Sequence, residues 1–424
     1  MQEDFLHYIW KYKKLDVSSL RTTGREAISI VSVGQHNLNS GPDFFNAQLK
    51  IEDQLWAGNV EVHVKSSDWF VHNHEQDKAY DNVILHVVWE YDTDIYRKDN
   101  SVIPTLELKN FVSNQALYNY NKLFSKTAKW INCENEFSKI DDFIFSNWLE
   151  RLYFERLERK AEDVNALLKA SKNDWEAVLF KMLSKNFGLK VNGDAFLGMA
   201  NSFDYYIVRK CQSNLKSLEA LLFGQLNLLE EDVQEPYYLE LLAEYKYLAN
   251  KFKLKPNNGP MVQFFRLRPT NFPTIRLSQL ASLYYDQQNL FSKVIETNTL
   301  NMFYDLFNVT ASKFWESHYT FKKSSKSSKK ILTKTFIDLL LINTVLPLKF
   351  SYAKYQNKDI DAEILQIIQK IDSEDNSILQ KFNSLKLVSQ SALQSQGLLQ
   401  LKSDYCDKKK CLQCAVGSSI LKSN

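Results

Sequence analysis

Seven consecutive residues, Val83-Ile84-Leu85-His86-Val87-Val88-Trp89, form an almost unbroken apolar run. So short a run bounded by polar residues reads as a strand buried on both faces. Such a strand needs neighbours in a sheet, and the preceding residues supply them. Ala47, Leu49 and Ile51 point one way on one predicted strand, and Val60, Val62 and Val64 point one way on the next. Glu52-Asp53-Gln54 is a polar turn between them, and Gly58 predicts a kink or bulge before the second strand. Period-two alternation then puts Glu61, His63 and Lys65 on the face opposite the valines. An acid, an imidazole and an ammonium fall within roughly 14 Å at about 3.4 Å per residue. That row suits a site better than a solvated strand.

The elements around this core follow in order. Phe5, Ile9 and Trp10 predict a short helix within residues 2–15, and Ala27–Val33 a strand ending at Gly34. Residues 66–82, dense in His and Asp, form a loop or short helix, and Val102–Leu108 adds a strand that Pro104 keeps near an edge. From about Asp141 the pattern turns helical: Phe145, Trp148, Leu149 and Leu152 fit a helix period, and helical patterns recur at 173–187, 214–230, 235–253, 276–296, 330–345, 359–372 and 376–398. Pro256–Pro260 is a turn cluster, and Lys322–Lys330 (KKSSKSSKK) a basic, serine-rich loop. The expected fold class is therefore α+β: a mixed α/β domain over 1–125, then a larger, mostly α-helical domain over 126–424 that ends in a cysteine motif.

Composition excludes some classes. A net charge of +3 does not announce a nucleic-acid binder, and 44% hydrophobic residues is ordinary for a globular chain. The N-terminal Met1-Gln2-Glu3-Asp4 is acidic with no apolar run after it, so no signal peptide is expected. The most apolar later segment, Leu339–Phe350, contains Asn343 and Pro347 and is too short to span a bilayer. Five unevenly spaced cysteines point to reduced thiols, and a cytoplasmic location without membrane contact is expected.

Gly41-Pro42-Asp43 opens one strand of the predicted hairpin, and Glu61-Val62-His63 lies in the other. Carboxylates on adjacent strands supply the hard oxygen ligands that Mg²⁺ or Mn²⁺ prefer, and a basic group beside them offsets phosphate charge. Helix, strand, hairpin, helix and strand, with Pro-Asp on one strand and Glu-x-basic on the next, resembles the PD-(D/E)xK nuclease superfamily. The resemblance implies a restriction-endonuclease-like domain in which Asp43 and Glu61 bind the metal. His63 stands where the family has its catalytic lysine, and Lys65 follows two residues later on the same face.

Other residues carry further candidates. His72, His74 and Asp77 could ligate zinc, whereas His86 in the apolar strand reads as a core histidine. Arg266, Arg268 and Arg276 lie in a proline-stiffened stretch and could clamp phosphates; pairing with acids of the helical domain is the plainer reading. Cys406, Cys411 and Cys414 form C-x4-C-x2-C with Gly417 beyond, a spacing suited to zinc or an iron–sulfur cluster, and Cys133 or a histidine could be the fourth ligand. The lysines between Cys406 and Cys411 should favour thiolates. Cys211 reads as a buried apolar residue.

Five stretches in order, GPDFFNAQLKI, WAGNVEVHVKSSDW, HNHEQDKAYDNVILHVVWE, FRLRPTNFPTIRLSQLA and YCDKKKCLQCAVG, resemble the bacterial family named domain of unknown function 2851, from about residue 4 to 420. It implies one polypeptide in which the N-terminal strands and C-terminal cysteines belong together. The expected function is metal-dependent cleavage of nucleic-acid phosphodiesters. The alternatives are a non-catalytic nucleic-acid-binding protein that kept the fold, and a zinc-dependent small-molecule hydrolase using His63, His72 and His74.

Overall fold

The computed structural model describes residues 2–125 and 129–422, and 53% of it is helical. The chain forms two compact units, Met1–Trp148 with Leu401–Asn424, and Leu149–Gln400. The boundary expected between residues 125 and 126 abuts 126–128, outside the described residues. The observed division falls after Trp148, and the cysteine segment joins the first unit.

The first unit begins with α1 (Glu3–Lys11), which buries Phe5, Ile9 and Trp10 completely, and Trp10 Nε1 donates to Val33 O at 3.1 Å. Then come β1 (Ile28–Ser32), β2 (Gln35–His36), β3 (Phe44–Ile51), β4 (Gln54–Lys65), the single turn α2 (Asp68–Val71), β5 (Val83–Glu90), β6 (Thr105–Glu107) and α3 (Asn114–Leu123). The sheet order is β1-β3-β4-β5-β6, with β2 also pairing with β3. The β1, β3 and β4 strands are antiparallel neighbours, whereas β5 runs parallel to β4 and β6 parallel to β5. The apolar run is thus an inner strand, buried from Val83 to Val88.

Two irregularities shape the sheet. A bulge lies between Phe44 and Ala47, where Asn46 has φ +56°, and it bends β3 just after Asp43. Gly58 lies inside β4 rather than ahead of it: an added Cβ would sit 2.5 Å from Ile84 Cγ2 and 2.6 Å from Asn82 O. Only glycine allows β4 and the start of β5 to approach so closely.

The second unit is helical around one large core that includes Cys211. The predicted helix over 276–296 is two, Pro273–Asp286 and Leu290–Glu296, broken where Asn289 adopts φ +55°. A continuous helical stretch, Lys334–Tyr355, is long and apolar enough to cross a membrane, but 78% of its apolar window is buried within the protein. Its π-helical segment Leu341–Val345 precedes Pro347, whose missing N–H cannot complete the ordinary ladder. The basic stretch 322–330 is not a plain loop: Lys323–Ser324 pairs with His318–Thr320, and Lys330 is buried.

Candidate functional site

Asp43 and Glu61 meet because β3 and β4 pair antiparallel with Phe44 opposite Val60. The two residues are cross-tied through backbone. The Asp43 N–H donates to Glu61 Oε2 at 3.1 Å, and the Val62 N–H donates to Asp43 Oδ2 at 3.0 Å. Glu61 is 4% exposed, and burial, with the Asp43 charge nearby, raises its carboxyl above the ordinary range despite contact with His74.

Two imidazoles, His63 and His74, contact the other oxygen of Glu61, and a third, His72, clusters with them. One ring nitrogen each from His63, His72 and His74 lies within 4.8 Å of the others. His74 Nε2 is 3.3 Å and His63 Nε2 3.5 Å from Glu61 Oε1, while His63 Nε2 is 3.0 Å from His72 Nδ1. His63 comes from β4, and α2 turns the chain back so that His72 and His74 reach it. His74 Nε2 is buried without a hydrogen-bond partner. A buried nitrogen in ion-pair contact with a carboxylate, beside two further imidazoles, fits a divalent cation with nitrogen and oxygen donors. His74 also lines an adjoining cavity of about 220 Å³ with Trp69, Tyr80 and Arg97.

His86 does more than fill the core. It is fully buried in β5, and its Nε2 lies 2.8 Å from His63 Nδ1. A cation on His63 Nε2 requires the Nδ1–H tautomer, whose proton His86 Nε2 accepts; such outer partners fix the orientation of a ligating ring. Burial, reinforced by His74 and His72, pushes His63 down to about 3, and burial sends His86 well below its usual range. Burial therefore holds His63 neutral at physiological pH.

His7, from α1, carried no local signal of a role. Its Nε2 lies 3.1 Å from Asp43 Oδ2, in ion-pair contact though poorly aligned for a hydrogen bond. Burial alone would lower His7, but Asp43 beside it outweighs burial and holds it above the usual imidazole range. His36 flanks the same corner, its ring 4.9 Å from that of Phe44.

Several expected residues stand elsewhere. Lys65 shares the face of Glu61 by strand parity, yet β4 has reached solvent there and its side chain is exposed; its N–H bonds Asp68 Oδ2 at 2.9 Å. Asp77 caps the turn Lys78–Tyr80 by accepting from Ala79 N and stands outside the imidazole group. Arg266 and Arg268 are exposed in the second unit, and Arg276 is buried there; among the described residues none of the three pairs with an acid. The expected acid pairing is thus replaced by amide oxygens, because Arg276 binds Gln279 and Asn271.

Cys133, Cys406, Cys411 and Cys414 all line one small cavity of about 20 Å³, with Ile131 and Gly417. An added Cβ on Gly417 would lie 2.0 Å from Cys411 O, so the backbone can wrap this cavity only with glycine. The expected thiolates are corrected: burial pushes Cys133, Cys406 and Cys414 up and holds Cys411 at about 11, while Lys408, Lys409 and Lys410 point into solvent. Metal binding there would have to displace protons.

Acid should loosen the first unit when metal is chelated. The folded state refuses a proton at His63 that the unfolded chain accepts below 6.5, so stability falls as pH falls from 6.5 towards about 3. His86 adds to this fall, and Glu61, raised above 4.5, opposes it at the acid end. Thermal melts from about pH 7 to about pH 5 should show a steeper loss for wild type than for His63→Gln, approaching ~1.4 kcal/mol per pH unit. Parallel curves would mean that His63 is not held neutral.

No curated protein and no solved structure matches this chain. Residues 3–377 match a family described as protein of unknown function (DUF2851), a span that ends before the C-terminal cysteines. The chain belongs to the DUF2851 family.

Proposed function

We propose that this protein is a metal-dependent hydrolase of nucleic-acid phosphodiesters. The observation that carries the reading is the cross-tied pair Asp43 and Glu61, with His63 and His74 against the Glu61 carboxylate and His72 clustered with them. The element order supports it: α1, antiparallel β1, β3 and β4, a short helix, then β5 parallel to β4 is the order expected of a PD-(D/E)xK-like domain. Asp43, Glu61, His63, His72 and His74 would hold the ion. A divalent ion there would act as a Lewis acid towards a phosphoryl oxygen and lower the pKa of an attacking water. The nitrogen donors favour Mn²⁺ or Zn²⁺ over Mg²⁺, which prefers oxygen ligands. With Lys65 in solvent and His63 neutral, His7 beside Asp43 is the cation placed to offset phosphate charge.

A second reading, a zinc-dependent hydrolase of small molecules, is favoured specifically by the closeness of the three ring nitrogens. Chelator-stripped protein should be given Mn²⁺, Zn²⁺ or Mg²⁺ and incubated with labelled single- and double-stranded DNA, RNA and a small phosphodiester. Cleavage of a nucleic acid, strongest with Mn²⁺ and absent in Asp43→Ala, is the expected result. Hydrolysis of the small ester alone with tightly held zinc would favour the second reading. Nucleic-acid binding without cleavage under any metal would leave a non-catalytic binding protein.

The four cysteines form a separate proposal. We infer that Cys133, Cys406, Cys411 and Cys414 hold zinc or an iron–sulfur cluster, supported by their shared cavity and by the glycine that wraps it.

A further inference from the structure

The helical unit contains a cavity of about 590 Å³, within the range that encloses small organic ligands. Four cations line it, Arg268, Arg276, Lys329 and Lys330, and no Asp or Glu does. Two of these cations belong to its wall. Arg276 and Lys330 are each 6% exposed, and neither forms an ion pair among the described residues. The Arg276 guanidinium lies 3.5 Å from the Phe336 ring centre, and two of its nitrogens are fixed by Gln279 Oε1 at 2.8 Å and Asn271 Oδ1 at 2.6 Å. Its Nε is buried with no partner. Lys330 Nζ is held by Glu316 O at 2.8 Å and by the carbonyl and hydroxyl oxygens of Ser328 at 3.0 and 2.9 Å. Gln279 ties the two together by donating to Lys330 O at 2.9 Å.

Burying a charge without a counter-charge is costly, and core cations are normally paired. Here two adjacent cations are held by neutral oxygens and by the rings of Phe336 and Tyr319, which orients them without an opposing formal charge. Burial pulls Arg276 down to about 10, and no acid counters it. The rim adds Arg268 and Lys329, both exposed, with the hydroxyls of Thr270 and Ser328 beside them. This charge exceeds what one carboxylate would balance, and a planar guanidinium suits the oxygens of a phosphate. We propose that this cavity binds the phosphate groups of a small organic phosphate of nucleotide size. The inference does not depend on the metal site.

Calorimetric titration of the full-length protein with a nucleoside triphosphate, the unphosphorylated nucleoside, inorganic phosphate and citrate tests it. The expected result is one saturable site for the triphosphate, weaker competition by inorganic phosphate, no binding of the nucleoside and affinity that falls with salt. The exposed pair Arg268→Ala/Lys329→Ala should fold normally and bind about tenfold or more weakly. Arg276→Gln should lose a similar factor; because it also gives up the buried bonds to Gln279 and Asn271, its melt without ligand is measured alongside, and the rim pair separates lost binding from lost stability. Absence of saturable triphosphate binding by wild type, or binding untouched in both variants, would overturn the proposal. A 5′-phosphorylated oligonucleotide serves as a further arm. If only the oligonucleotide binds, and the rim variant weakens it, the cavity is a strand contact and the small-molecule assignment fails.

Discussion

Glu61→Gln should abolish metal-dependent cleavage while leaving the fold intact. The substitution keeps shape and volume, and the Asp43 N–H still finds an oxygen acceptor. What disappears is the negative charge that faces His63 and His74 at 3.5 and 3.3 Å. Replacing a partner outside the ligand shell typically lowers metal affinity roughly 10–100-fold, so loss of a ligand should exceed that range. His86→Ala should fall within it, through a disoriented His63. Lys65→Ala should cleave as wild type does. Because burial already penalises the Glu61 carboxylate, the metal-free variant should melt at or above the wild-type temperature. Titration calorimetry with Mn²⁺, the cleavage assay and thermal melts give the readouts. Glu61→Gln that retains affinity within about threefold of wild type would remove Glu61 from the ligand set.

Cys411→Ser should strip bound metal from the C-terminal centre and melt the first unit on the order of 10 °C lower. Four thiols, three of them from residues 401–424, enclose one small cavity, and free energy of binding at such a site is free energy of folding. A loss of several kcal/mol corresponds to that shift at roughly 2–4 °C per kcal/mol for a unit of this size. Cys211→Ser tests the burial of a thiol in the helical core without touching the cavity, and should leave metal content unchanged. Metal analysis of anaerobically purified protein distinguishes zinc from iron with labile sulfide. A wild-type protein carrying neither, with the same melt as Cys411→Ser, would make the cysteines ordinary buried thiols.

The strands were legible because alternation and the continuous run at Val83–Trp89 encode faces and layers. Parity placed Ala47, Leu49 and Ile51 on one face, and the structure buries all three. Parity gives the face and not the depth, which is why Lys65 read as a neighbour of Glu61 and instead lies at the wet end of β4. The site beyond Glu61 depends on long-range packing. His7 reaches Asp43 only through the seating of α1 on the sheet, and His86 meets His63 only through the parallel register of β4 and β5. Nothing near either histidine encodes those contacts. Asp77 shows the opposite case, a residue beside two histidines whose own turn claims its carboxylate.

The first unit is discontinuous in the chain, and that sets an order of events during synthesis. The helix Ala415–Lys422 packs on α3, where Asn119 Nδ2 donates to Ile420 O at 3.3 Å, and three of the four thiols of the cysteine cavity arrive with it. The whole stretch Leu149–Gln400 leaves the ribosome between the two parts of this unit. At roughly 5–20 residues per second the sheet must wait tens of seconds for its last helix. During that interval the α3 surface that this helix covers stays open, so a nascent chain paused before Leu401 should be cut by proteases faster than one that includes residues 401–422.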